Sequence, residues 1–348
     1  MGLDHSEQDN SFRDPREQPR WRHGLGRILA FFGISSRTHK ASKKRAKTVA
    51  DVLTYGVLIF GAFFMAYPFW WMLAASFSDT SQAAYSAQIN GMIWWPERAL
   101  PQEGYSFFYN YAYLFTRGMV GSGTASTGFP VGYTYWRAVL NNFIYSVVPV
   151  TVGVLSSAAA AFSFAKIEWR GRGVVFMFLL AAIMVPAPSI MTTQYAMYRS
   201  FGWTSNENSW MTLTVPGMFG SIMTAFFIRQ FLFGLPTSIV EAAKIDGAGY
   251  LRIFTSFILP LAMPAIVAQG LLSFMGCWNN YMGSLIFIQP SSLWINLPHA
   301  MAIMNSNLPS NQGPVMAAAV MCVLPVVILF AAFQKLIIGS LMLTGSKE

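Results

Sequence analysis

Charge is scarce in this chain. Of its 348 residues, 23 are Lys or Arg and 14 are Asp or Glu, so 11% are charged against 54% hydrophobic. Soluble domains carry about 25% charged residues, so this composition excludes an ordinary soluble protein and describes an integral membrane one. Cysteine is almost absent. Cys277 and Cys322 both fall inside apolar stretches, which leaves no disulfide framework and no metal site. No Gly-Lys pair occurs, excluding a G-x-x-x-x-G-K-[ST] phosphate loop, so any work done on ATP needs an ATPase on another chain. The apolar stretches hold no Asp, Glu, Lys or Arg near their centres. Ion- and proton-coupled carriers place ionisable groups there, so an ion-coupled carrier or a self-sufficient channel is disfavoured. A membrane enzyme is disfavoured too, because no acid, base or nucleophile converges near the bilayer; no catalytic residue is assigned.

What is present is length without polarity. Roughly 20 apolar residues cross a bilayer, and six stretches qualify: 49–76, 138–165, 174–198, 211–233, 257–288 and 315–338. They predict an all-α integral membrane protein with six transmembrane helices. Pro68, Pro149, Pro186, Pro188, Pro216, Pro260 and Pro264 are expected to bend or break them. The net charge of +9 is topological and implies no nucleic acid. Eleven of the basic residues lie in residues 1–48, and a cytoplasmic N-terminus also puts Lys166, Arg170, Arg172, Arg229, Lys244, Arg252, Lys335 and Lys347 inside. Only Arg98, Arg117, Arg137 and Arg199 then fall outside, as the positive-inside rule requires. The expected organisation is a basic cytoplasmic arm (1–48), a permeation domain (49–338) and a cytoplasmic tail (339–348). The arm lacks the pattern of a removed signal peptide. Its segment 21–34 reads either as an amphipathic helix on the membrane surface or as an unstructured basic arm.

The loops carry the remaining information. The first outer loop, 77–137, is rich in Trp and Tyr, which either anchor it to headgroups or contact an outside partner. Ser156-Ser157-Ala158-Ala159-Ala160-Ala161 permits close helix packing. Between the fourth and fifth spans, 237–254 is a polar interruption. Ser238-x-x-Glu241 reads as a capping box opening a short helix, 239–245; Asp246 reads as the N-cap of the next helix, and Gly247 as the turn between them. The predicted product is a slim helical knob, kept narrow by Ala242, Ala243 and Ala248. Within the fifth span, Gln269, Trp278, Asn279 and Asn280 offer amides and an aromatic face, which serve either a sugar path or interhelical bonding.

The sequence Glu241-Ala242-Ala243-Lys244-Ile245-Asp246-Gly247-Ala248, closed by Leu259-Pro260, resembles the EAA loop of permease subunits in bacterial binding-protein-dependent ABC importers. Phe227-Ile228-Arg229-Gln230-Phe231, Leu235-Pro236, Phe254 to Pro264, Asn142, Trp278-Asn279-Asn280 and Phe333-Gln334-Lys335 narrow the likeness to carbohydrate importers, in particular subunits similar to the smaller maltose permease. The resemblance runs from about Val49 to the C-terminus. It implies the type I ABC importer permease fold, in a multi-pass protein of the bacterial inner membrane with both termini cytoplasmic. It further implies a coupling helix in which Glu241, Ala242, Ala243, Asp246, Gly247 and Ala248 dock on an ATPase, with Glu241 meeting a basic residue there. The implied partners are a second permease, making a heterodimer, two ATPase subunits that bind ATP and Mg, an extracytoplasmic solute-binding protein, a sugar substrate and membrane lipid. The chain itself is expected to hold no cofactor. Asn307, Leu308 and Pro309, in the outer loop 289–314, are implied contacts for the binding protein. The tail after Gln334 is implied to lie against the ATPase, although its ending, Thr344 to Glu348, departs from the commoner family pattern. The cargo is expected to be an oligosaccharide, with a phosphorylated polyol or uronate oligomer as the alternative.

Overall fold

Apolar side chains on long uninterrupted runs produce helices here, and the interruptions decide how those helices are arranged. The computed structural model describes residues 37–78, 108–118, 133–307 and 312–345, with side chains described only in part near Arg37 and beyond Gln334. Its helices are α1 (Arg37–Phe77), α2 (Tyr109–Tyr113, followed by a π turn), α3 (Tyr135–Lys166), α4 (Arg172–Ile183), α5 (Ala187–Ser200), α6 (Trp210–Met218) and α7 (Ile222–Phe233). After them come α8 (Ser238–Ile245), α9 (Tyr250–Leu261), α10 (Met263–Trp278), α11 (Tyr281–Phe287), α12 (Leu297–Asn307) and α13 (Gln312–Gly345). No strand occurs among the described residues.

Among the described residues, four segments are long and apolar enough to cross a membrane: Ala50–Phe77, Tyr135–Lys166, Trp210–Phe233 and Gln312–Gln334. Two more candidates are bent pairs, α4 with α5 at 96° and α9 with α10 at 78°. The expected third and fifth spans are therefore not straight. The third breaks at Pro186, which cannot continue the hydrogen-bond ladder of α4. The fifth breaks at Ala262, just before Pro264 enters the first turn of α10, and again at Asn279–Asn280. Pro68 and Pro149 stay inside continuous helices, so those two expected breaks do not occur. The expected arm also changes at its end, since α1 begins at Arg37 and runs unbroken into the first span. Segment 21–34 lies outside the described residues.

The chain divides into two compact units, Met1–Pro68 and Phe69–Glu348. In the first, the apolar side chains of α1, Val52, Phe60, Phe64 and Met65 among them, are exposed, as suits lipid contact.

The second unit is organised on α3, which packs along α6, α7 and α10. Gly153 explains the closest approach: a Cβ there would fall inside the van der Waals shell of the Gly217 carbonyl oxygen. Gly220, at φ +92°, turns the chain between α6 and α7, and Ser157 closes the gap by accepting from the Ser221 N–H at 2.9 Å. Ser156 Oγ donates to the Met218 carbonyl at 3.0 Å. The Ser156–Ala161 patch is thus structural, and its hydroxyls satisfy the backbone that the α6–α7 turn leaves open.

Farther along α3, Tyr133 Oη just before it, Asn141 Nδ2 and Tyr145 Oη donate to the carbonyls of Ile295, Leu293 with Ile295, and Trp294, at 2.7–2.9 Å. These bonds hold the irregular link between α11 and α12 against α3. Burial pushes the Tyr133 phenol well above its usual range, so it remains a donor. Asn142 Nδ2 donates to the Trp278 carbonyl at 3.1 Å, meeting the break after α10. At the other end of the unit, Asn110 Nδ2 donates to the carbonyls of Ser76 and Ser78, tying α2 to the end of α1.

His299 lies buried between α11 and α12. It shares a 3.1 Å hydrogen bond with Ser284 through Nδ1, and its backbone N–H donates to Asn296 Oδ1. Burial lowers its pKa below the ordinary 6.5, so the fold prefers the neutral ring. A folded pKa below the unfolded one gives stability that is complete above about 6.5 and lost as pH falls from there toward the folded value. The thermal midpoint of the purified protein is expected to drop on acidification from pH ~7 to below ~6, and His299→Gln should flatten that dependence. In the α3–α6 crossing, Gly153→Leu should lower the midpoint at neutral pH, since overpacking costs about 1–3 kcal/mol.

Candidate functional site

Local sequence shapes the loop between α7 and α9. Pro236 ends α7's continuation, and α8 starts at Ser238 with Thr237 as its N-cap; Thr237 makes no side-chain cap bond. The expected capping box is therefore absent: Ser238 is already helical, and Glu241 sits in the first turn, where a carboxylate favours the helix dipole. Asp246 is likewise the C-cap of α8, while Gly249 is the N-cap of α9. The stop signal is Gly247, at φ +77°. Its N–H donates to the Lys244 carbonyl at 3.0 Å, and the Ala248 N–H donates to the Ala243 carbonyl at 2.9 Å. Together these form a Schellman closure, which requires a left-handed residue at this position. That geometry confirms Gly247 as the turn and explains why Asp246 is not needed as a cap.

Helical spacing then divides the knob into two faces. Val240 and Ala243, three residues apart, are buried in a core with Ala161 and Ala165 of α3, Ile228 and Leu232 of α7, and Ile253 and Ile258 of α9. Ala243 thus seats the helix and presents nothing outward. Glu241, Ala242, Ile245 and Asp246 are exposed, Ile245 by 86% and Leu251 of α9 by 77%. Lys244 Nζ lies 4.9 Å from the centre of the Tyr250 ring. Neither Glu241 nor Asp246 has an ion-pair partner among the described residues.

Two cations fasten the root of the knob. Lys166, buried at the end of α3, donates from Nζ to the Leu235 carbonyl at 2.6 Å. Arg229 lies between the rings of Phe176 and Phe233, 4.0 and 4.4 Å from their centres, and donates from Nε to the Phe164 carbonyl. The arrangement is a short helix with exposed carboxylates and apolar side chains, bonded at its base to α3. Sequence reasoning missed Ile245, Leu251 and Lys166. The i, i+3 register of Val240 and Ala243 was the signal that Ile245 must face outward.

The fifth-span residues separate. Trp278 is buried, donates from Nε1 to the Cys322 carbonyl at 2.9 Å, and stacks on Phe274. It therefore belongs to the core and offers no open aromatic face. Asn280 Oδ1 accepts from the Gly283 N–H and caps α11. Asn279 Nδ2 donates to the Met275 carbonyl, and Gln269 is half-buried on α10. Beside them, a cavity of about 230 Å³ lies between α3, the α6–α7 turn and α10. Gly153, Ser157, Gly220, Ser273 and Gly276 line it, without a charged group. Asn307 ends α12; its side chain, together with Leu308 and Pro309, lies outside the described residues.

A family profile described as "Binding-protein-dependent transport system inner membrane component" matches residues 31–341. The chain belongs to this family. The permease is 29% identical to the trehalose/maltose transport system permease protein MalG of Thermococcus litoralis, over 84% of this chain and 96% of that protein. It is also 29% identical to the arabinooligosaccharides transport system permease protein AraQ of Halalkalibacterium halodurans, over 61% of this chain and 75% of that one. Its fold resembles a chain in the crystal structure of a bacterial ABC transporter involved in the import of the acidic polysaccharide alginate. The TM-score is 0.61 at 20% identity, with coverage of 84% and 97%. The permease is accordingly a multi-pass inner-membrane protein with the type I importer fold.

Gly247→Val would force a β-branched residue into a left-handed conformation, at about 1–2 kcal/mol. Amide exchange at residues 247 and 248 is expected to accelerate roughly tenfold, measured by hydrogen–deuterium exchange.

Proposed function

We propose that this permease forms half of a translocation pore for sugars, most naturally oligosaccharides, in an ATP-driven importer. The carrying observation is the knob: Glu241, Ala242, Ile245 and Asp246 are exposed on α8, with Leu251 of α9 beside them, while the opposite face of α8 is locked into the core. Two carboxylates without an ion-pair partner among the described residues and two exposed apolar side chains suit a cleft that is basic at one point and apolar around it. A charge-assisted bond from Glu241 would fix the register, and the apolar contacts would add area. Rigid docking lets closure of an ATPase dimer move the spans as bodies.

The remaining parts follow from this reading and from the names of the relatives. A second, related permease completes the pore as a heterodimer, two separate subunits bind ATP and Mg, and an extracytoplasmic protein delivers the solute. This chain is non-catalytic. Both termini lie in the cytoplasm, on the side of the knob, with residues 1–48 as the basic arm, 49–338 as the permeation domain and 339–348 as the tail. Gly247 and Ala248 close the docking helix, and Ala243 supports it from within. Asn307, Leu308 and Pro309 are positioned in the chain to meet the binding protein. Asn279, Asn280 and Gln269 remain candidates for the solute path, whereas Trp278 is withdrawn from it.

The test is charge reversal on the knob. Glu241→Lys and Ile245→Asp should each lower ATP-dependent uptake at least tenfold in cells, the loss expected for about 1.5–3 kcal/mol at one charged contact, with membrane insertion unchanged. Uptake at the wild-type rate in both variants would refute a docking role for this face.

A further inference from the structure

A second recess lies at the end of α3 away from the knob; α3 is about 48 Å long, at 1.5 Å per residue over its 32 residues. Its volume is about 380 Å³, within the ~300–1,000 Å³ typical of small-molecule sites. Trp136 and Trp294 stand at its sides, and Thr134, Arg137 and Asn141 supply its polar groups.

Each wall is braced. Phe115 lies 5.1 Å from Trp136 on one side, while 59% of the Trp136 side chain stays exposed. Trp294 has Trp210 at 6.1 Å, and its backbone is pinned by the Tyr145 hydroxyl and by Ser292 Oγ. The polar groups are also oriented with capacity left over. Arg137 Nε donates to the Leu293 carbonyl at 3.3 Å, which fixes the plane of its guanidinium 5.6 Å from the Trp294 ring. Its terminal NH2 groups have no ion-pair partner among the described residues. Thr134 Oγ1 accepts from the Arg137 N–H, so its own proton can be donated. Asn141 uses both amide hydrogens on the Leu293 and Ile295 carbonyls, leaving Oδ1 as its acceptor.

From this geometry we propose a saccharide-binding site on the extracytoplasmic mouth of the permease, taking a pyranose unit of the solute. The apolar C–H face of such a ring packs on indole, while its hydroxyls bond to fixed donors and acceptors. Arg137 gives bidentate N–H donors to vicinal hydroxyls or to a ring carboxylate. Interfacial Trp and Arg also lie against lipid headgroups, but a headgroup does not call for two braced indoles facing one recess with a hydroxyl and an amide beside them. The identity of the occupant rests on the sugar-permease reading; the geometry of the recess does not.

Saturation-transfer NMR on the full-length protein in phosphatidylcholine nanodiscs tests the site, with maltotriose as the neutral probe and trigalacturonate as the acidic one. Transfer to ring protons is expected for at least one probe. Trp136→Ala and Arg137→Ala should each cut it at least fivefold, and Phe178→Ala, on an exposed position of α4, should leave it unchanged. Trp136→Phe and Arg137→Lys, which keep the ring and the charge, guard against misfolding and should retain part of the signal. A loss in Arg137→Ala confined to trigalacturonate assigns Arg137 to a carboxylate; a loss with both assigns it to hydroxyls. Absence of transfer from both sugars to the wild type, or equal transfer in both alanine variants, overturns the site and leaves these residues as membrane-interface anchors. The sugar-permease reading fails separately, if removing this chain from cells changes no carbohydrate uptake.

Discussion

An apolar slab offers no water to an open carbonyl or amide, so each break in a helix needs a partner brought by the protein itself. In this permease α3 brings several of them. Its Asn141 and the flanking Tyr133 and Tyr145 hold residues 293–295, Asn142 holds the Trp278 carbonyl, Ser156 and Ser157 close the α6–α7 turn, and Lys166 holds Leu235. Polar side chains on one continuous helix thus meet the openings in its neighbours. Without that supply, the open backbone groups at the α6–α7 turn, at the end of α10, at residues 293–295 and at Leu235 would stand in an environment where an unsatisfied group costs several kcal/mol.

The same bonds give the knob its mechanical value. A docking helix on a floppy loop would absorb a push from a partner. Here Val240 and Ala243 share a core with α3, α7 and α9, and the Lys166–Leu235 bond joins the loop's root directly to α3. The knob is therefore joined without a flexible linker to the helix that organises the second unit. Small side chains at Gly153, Gly217 and Gly220 bring the turn of α6–α7 against that helix.

Much of this was legible in residues. Apolar runs marked the spans, and Gly247 announced the end of α8 because its conformation is nearly reserved for glycine. Prolines were a poorer guide: Pro186 breaks a span and Pro149 does not, since a helix surrounded by partners can accommodate a missing N–H. The capping box at Ser238 misled for a related reason, as its residues occur in the right order but the helix begins one position earlier. Trp278 looked like a sugar platform from its Asn neighbours; only three-dimensional packing against Phe274 and the Cys322 carbonyl shows that it belongs to the core. Pairings across 150 residues of chain, such as Asn141 with Leu293 and Ile295, leave no local signature at all.

The acceptors that α3 captures are main-chain oxygens, and every amino acid has one. The link at 293–295 can therefore exchange its side chains without loosening its attachment, because recognition falls on atoms that substitution does not alter. Such a scaffold separates heritable variation in the outer surface from the integrity of the fold, and gives related transporters room to change what they admit while keeping the same frame.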